Sequence, residues 1–236
     1  MSNIFKAVFF DLDHTLWDFE TNSEAAIREL LDEHPDVKGE IGDLSAFMNQ
    51  YRLINKDLWD RYHINAITRD ELRVWRFEHV FSAFKIYDKQ LARHFSTRYL
   101  EICPVKTALF PGALEVLEQL RSTHSLYIIT NGFREVQYKK LLHSGLIHYF
   151  DKVHISEEIG WKKPDSEIFI HAVREAGQPF DKCVMVGDNP ETDISGALNV
   201  GIQPILFDPE GKKSGKHPVW NASSLDEVAS LISGQT

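Results

Sequence analysis

The segment Ile4-Phe5-Lys6-Ala7-Val8-Phe9-Phe10 is apolar but for one lysine and runs straight into Asp11-Leu12-Asp13. A short, almost unbroken apolar run suits a strand covered on both faces, which requires a parallel sheet with helices above and below. Further runs of strand length follow at Leu126 to Ile129, Lys152 to Ile155, Cys183 to Val186 and Pro204 to Phe207. Helical segments separate or follow them at Gly112 to Ser122, Arg134 to Ser144, Asp165 to Ala176, Asp193 to Asn199 and Ser224 to Ile232. Strand alternating with helix predicts an α/β fold with a doubly wound parallel sheet.

Residues 17–105 break that rhythm. Phe47, Tyr51, Ile54, Leu58 and Tyr62 fall on one helical face, as do Leu91, Phe95, Tyr99 and Ile102. Ala26, Ile27, Leu30 and Leu31 mark another helix, and Leu72, Trp75, Phe77, Val80, Phe81 and Phe84 a broad fourth face. The spacing predicts a small four-helix bundle inserted between the first and second strands. The α/β core is then expected at residues 1–16 and 106–236, with the helical insertion at 17–105.

Composition narrows the function classes. Lys and Arg total 26 against 35 Asp and Glu, a net charge of −9. That balance excludes a phosphate-backbone binder with its basic stripe, so no nucleic-acid polymer is expected as partner. The two cysteines, Cys103 and Cys183, support neither a disulfide framework nor a cysteine metal site, and Cys183 reads as a small buried hydrophobe. The first residues lack the apolar core of a signal peptide, and no apolar run approaches the roughly 20 residues of a membrane span. The expectation is a soluble, cytoplasmic protein without a membrane partner. The lysines of Asp208 to Pro218 read as a solvated loop.

Polar residues gather where the strands end. The first strand stops at Asp11-Leu12-Asp13-His14-Thr15, the second at Thr130-Asn131-Gly132 and the fourth at Gly187-Asp188-Asn189, with Asp193 five residues beyond Asp188. The third leads to Lys162-Lys163-Pro164-Asp165, where Asp165 or Ser166 can cap the next helix. In an open α/β sheet the ligand crevice lies outside the carboxyl ends of the strands, so these groups converge. Two like charges about 4 Å apart cost on the order of 4 kcal/mol at an effective dielectric near 20. Three or four carboxylates in one place therefore imply a cation among them. Oxygen ligands without a His or Cys cluster point to Mg²⁺.

Asp-x-Asp-x-Thr, Thr-Asn-Gly, Lys-Pro-Asp and Gly-Asp-x-x-x-x-Asp, in this order and each after a strand, resemble the haloacid dehalogenase superfamily of phosphohydrolases. The insertion stands where that superfamily places its first-position cap over a Rossmann-like core. Within the superfamily, Ile54 to Trp59, Ala66 to Thr68 and Ile129 to Phe133 resemble the bacterial 5′-nucleotidases acting on pyrimidine and noncanonical nucleoside monophosphates. His14 departs from the smaller or acidic residue common at its position.

The resemblance implies a division of labour. Asp11 would be the nucleophile, forming an aspartyl-phosphate. Asp13 would be general acid and then general base, and would have to be protonated while Asp11 is ionised. Thr130, Asn131 and Lys163 would bind the phosphoryl group. Mg²⁺ would be held by Asp11, the main-chain carbonyl of Asp13, and Asp188, with Asp193 supporting Lys163 or a metal-bound water. The expected partner is a small phosphorylated metabolite, a nucleoside monophosphate above others, bound by a monomer or homodimer. Asn55, Lys56, Trp59 and Tyr62 lie on one helix of the insertion and are open to either packing or a nucleoside. A sugar-phosphate phosphatase or phosphomutase of the same superfamily is the rival reading. A receiver-type phosphoryl-binding module would need about half this length and no insertion.

Overall fold

The computed structural model describes residues 5–213 and 219–234. Ile4, the first residues of the chain and the 214–218 part of the lysine-bearing loop lie outside them. The described chain forms two units, one running to Phe19 and resuming at Thr107, the other spanning Glu20–Lys106.

The first unit is built on six parallel strands: β1 (Ala7–Phe10), β2 (Ser125–Thr130), β3 (Lys152–Ile155), β4 (Cys183–Gly187), β5 (Gln203–Phe207) and β6 (Trp220–Ala222). Their order is β3-β2-β1-β4-β5-β6. The α/β, doubly wound expectation holds. β1 is central, pairing Ala7 with Ser125 on one side and with Cys183 on the other. All four of its residues are buried, as an apolar run covered on both faces requires. On one face Phe9 stacks on Tyr127 with ring centroids 5.1 Å apart, beside Ile168, Phe169 and Met185. Burying such a side chain contributes about 2–3 kcal/mol. Both cysteines are buried and unbridged.

β6 is absent from the sequence reading. It has three residues, two of them exposed, and too little apolar pattern to register. The helices of this unit are α6 (Ala113–Arg121), α7 (Arg134–His143), α8 (Ser156–Ile159), α9 (Ser166–Ala176), α10 (Ser195–Asn199) and α11 (Leu225–Ser233), once the second unit's α1 to α5 are counted. Asp165 caps α9 by accepting from the Glu167 N–H at 2.9 Å, and Ser224 caps α11 through the Glu227 N–H at 3.2 Å.

The second unit is helical: α1 (Phe19–Glu33, its first residue in the other unit), α2 (Pro35–Ile41), α3 (Leu44–His63), α4 (Arg69–Ala83) and α5 (Lys89–Ile102). The expected count of four misses α2, a seven-residue helix whose only buried residue is Ile41. One apolar contact leaves no amphipathic face to read. Asp43 and Asp88 cap α3 and α5, and α4 opens on a capping box between Thr68 and Glu71. Phe47, Tyr51, Phe77, Phe81, Phe95 and Tyr99 form the aromatic interior, with Phe81 and Phe95 edge to face at 4.9 Å.

Candidate active site

β1, β2 and β4 end side by side, next to the point where the strand order reverses about β1. The Asp11 N–H donates to the Val186 carbonyl at 2.9 Å, so the sheet ladder itself carries Asp11 to the edge. Beyond it the chain turns tightly. The main-chain N–H groups of Leu16 and Trp17 both donate to the Leu12 carbonyl, and His14 takes a left-handed φ of 60° with its ring against Phe19.

Lys163 is the hub, with 2% of its surface exposed. Its ammonium donates at 2.7 Å to Asp11 Oδ1 and to the Ile129 carbonyl, and lies 2.7 Å from Asp193 Oδ1. Three acceptors thus meet the three N–H bonds of a buried cation. Asn131 holds the lysine's backbone in both directions. Its Nδ2 donates to the Lys163 carbonyl at 2.9 Å, and its Oδ1 accepts from the Lys163 N–H at 2.8 Å. The side chain of Asn131 is therefore spent on Lys163. Thr130 Oγ1 accepts from the Gly132 N–H at 3.1 Å.

Single carboxylate oxygens of Asp11, Asp188 and Asp193 all lie within 4.8 Å of one another. Burial pushes the Asp11 carboxyl well above the usual range; Lys163 opposes this, while Asp193 and Asp188 add to it. Asp193 is raised by burial and by Asp188 against the pull of Lys163. Lys163 keeps its proton tightly, because Asp11 and Asp193 outweigh the cost of burying it. One ammonium thus leaves two buried carboxyls shifted upward. A group of oxygen donors still short of positive charge fits a hard divalent cation such as Mg²⁺. The Asp13 carboxylate stands outside this group.

Asp13 sits in a different electrostatic setting from Asp11. Burial raises Asp13 too, but the Lys140 ammonium more than offsets it, and the carboxyl titrates below the usual range. Lys140 Nζ donates to Asp13 Oδ1 at 2.5 Å and Gln137 Nε2 to Oδ2 at 2.8 Å. Sequence reading missed both donors, since a lysine on a helix ordinarily marks the solvent face. It also missed Lys213, read as part of a solvated loop, which lies 2.6 Å from Asp188 Oδ2. The Lys213 N–H is tied to Asp208 Oδ2 at 2.7 Å, which fixes that turn.

In the second unit, Asn55 is buried, with an Oδ1 that finds no hydrogen-bond donor among the described residues. Lys56 is exposed and paired with Asp60, and Trp59 and Tyr62 meet edge to face at 5.6 Å.

The profile of the haloacid dehalogenase-like hydrolases matches residues 5–201. The chain belongs to that family, and it is a phosphohydrolase of the superfamily. The pyrimidine 5′-nucleotidase YjjG of Escherichia coli K12 is 35% identical over 228 residues, 95% of this chain and 96% of that enzyme. A glyceraldehyde 3-phosphate phosphatase of Methanothermobacter thermautotrophicus is 30% identical, over 96% of this chain and 97% of that one. The magnesium-bound crystal structure of the HAD-hydrolase YfnB of Bacillus subtilis superposes with a TM-score of 0.86 at 26% identity, covering 97% of this chain and 98% of that one. No helix among the described residues is long and apolar enough to cross a membrane.

Proposed function

We propose that the protein is a Mg²⁺-dependent 5′-nucleotidase that hydrolyses nucleoside monophosphates through an aspartyl-phosphate on Asp11. The observation that carries the reading is the 2.7 Å ion pair of Asp11 with Lys163, set beside Asp188 and Asp193 at the strand ends. The 35% identity to a pyrimidine 5′-nucleotidase along nearly the whole chain supports the substrate class.

An Asp11 carboxylate oxygen attacks phosphorus, and the bond from phosphorus to the 5′ oxygen breaks as the acyl phosphate forms. Asp13 gives its proton to the departing alkoxide. Its resting ionised form first takes that proton from solvent, which an approaching phosphate dianion favours. Water then attacks phosphorus, Asp13 takes a proton from it, and inorganic phosphate leaves with Asp11 restored. The Thr130 hydroxyl, the Asn131 N–H and the positive charge of Lys163 hold the phosphoryl oxygens, while Asp193 fixes the lysine. Mg²⁺ held by Asp11, Asp188 and the Asp13 carbonyl would neutralise phosphoryl charge and keep Asp11 ionised. The helical unit serves as a cap that selects the leaving group.

The test is phosphate release from nucleoside monophosphates, sugar phosphates and an aryl phosphate, with Mg²⁺ and with chelator. Preference for nucleoside monophosphates, dependence on Mg²⁺ and loss of turnover in Asp11→Asn are expected. Preference for a sugar phosphate would overturn the substrate class, and full activity of Asp11→Asn the mechanism.

A further inference from the structure

Gln137 and Lys140 stand three residues apart on α7, hence on one face of the helix. Both are almost fully buried, at 1% and 3% exposure, and each donates to a different oxygen of Asp13. Two donors on two oxygens fix the plane of a carboxylate as well as its position, which one donor cannot do.

The surroundings leave the lysine little choice of partner. Its ammonium lies 4.3 Å from the centroid of the Trp17 ring and 5.6 Å from that of Phe19, two aromatic walls from the segment following Asp13. The amide of Gln137 reaches Asp13 by crossing the bare backbone of Gly132. A β-carbon there would fall 1.6 Å from Gln137 Nε2. The glycine that ends the Thr-Asn-Gly motif is therefore required by an amide from the next helix. Gln137 Oε1 accepts no hydrogen bond among the described residues, so the amide is buried at a cost in order to donate.

Stability is a weak reason for this arrangement. Removing an ammonium and a carboxylate from water roughly cancels their attraction, and an apolar pair of the same volume would serve the fold as well. We propose that Gln137 and Lys140 are positioning residues that hold the Asp13 carboxyl in line with the leaving-group oxygen. The proposal rests on Asp13 serving as the general acid. It predicts a defect that scales with how much the departing oxygen needs a proton.

The experiment is single-turnover phosphoryl transfer to the enzyme with Mg²⁺. It compares an alkyl phosphate that the enzyme turns over, whose alkoxide needs a proton, with p-nitrophenyl phosphate, whose phenolate does not. Lys140→Met is expected to slow alkyl transfer about tenfold or more, and aryl transfer by less than about threefold. Lys140→Arg restores part of the loss, because it keeps a donor and a charge. Asp13→Asn shows the same asymmetry in stronger form. Equal losses on both substrates, or none, in Lys140→Met would overturn the positioning role while an asymmetric Asp13→Asn leaves the acid assignment standing. A symmetric Asp13→Asn would overturn the assignment itself, and the proposal with it. If Lys140→Met does not fold, as judged by its thermal transition, Gln137→Leu carries the same comparison.

Discussion

The carboxylate of Asp193 lies against the bare backbone of Gly187: a β-carbon on Gly187 would fall 2.3 Å from Asp193 Oδ2. That oxygen accepts the Asn189 N–H at 3.0 Å, while Oδ1 lies 2.7 Å from the Lys163 ammonium. The glycine before Asp188 is thus the space that lets Asp193 reach Lys163. Gly187→Ala should displace Asp193 and loosen the lysine. We expect a loss of about 1–3 kcal/mol in chemical denaturation, typical of overpacking, and a fall in kcat of tenfold or more. Unchanged values for both would mean that Asp193 has room to move.

Metal should act as a stabiliser as well as a cofactor. Asp11 and Asp193 titrate above the usual carboxylate range, so their ionised forms cost stability at neutral pH. A cation that binds the ionised group removes that cost. Mg²⁺ at 100 times its dissociation constant should therefore raise stability by about 2.7 kcal/mol. Protons compete for the same oxygens, so the gain shrinks as pH falls. Asp188→Asn should reduce it at every pH. Identical melting curves in Mg²⁺ and in chelator would contradict the cation site.

His154 on β3 provides a pH dependence of a different origin. It is 1% exposed, and neither ring nitrogen has a hydrogen-bond partner among the described residues. Burial, then His171 and Lys152, push its pKa down from 6.5 to about 4, with Glu175 pulling the other way. The unfolded chain therefore takes up a proton near 6.5 that the folded chain refuses until about 4. Stability from this group is complete above the higher value, lost progressively through the window, and constant below it. The loss is on the order of 3 kcal/mol. Denaturation midpoints measured across the window should flatten in His154→Phe. An equally steep profile in that variant would assign the acid sensitivity elsewhere.

What the sequence reveals here follows how each residue spends its burial. β1 is legible because an apolar run ending in Asp11 has few other uses, Asp188 and Asp193 follow another such run in β4, and Lys163 is marked by the proline after it. Gln137 and Lys140 are not legible. They are polar residues buried on a helix, and their partner Asp13 is more than 120 residues away in the chain. The lowered pKa of Asp13 is hidden for the same reason. It depends on Lys140, which no local pattern ties to Asp13. α2 and β6 were lost for want of an apolar face, and Lys213 for want of any sign that Asp188 was near.

Asn131 separates a residue that binds phosphate from one that holds the binder. Its side chain makes two hydrogen bonds to the Lys163 backbone, one given and one accepted. Asn131→Asp keeps the acceptor for the Lys163 N–H but sets a carboxylate oxygen against the Lys163 carbonyl. It also adds negative charge beside Asp11. Asn131→Leu removes both bonds and leaves two buried main-chain groups unpaired, at about 1–3 kcal/mol each. Both variants should weaken binding of inorganic phosphate as product inhibitor by tenfold or more, through a misplaced Lys163 ammonium. If the asparagine side chain bound phosphate directly, the leucine variant would lose phosphate affinity with its melting temperature unchanged. Measuring the inhibition constant and the melting temperature on the same preparations separates the two cases.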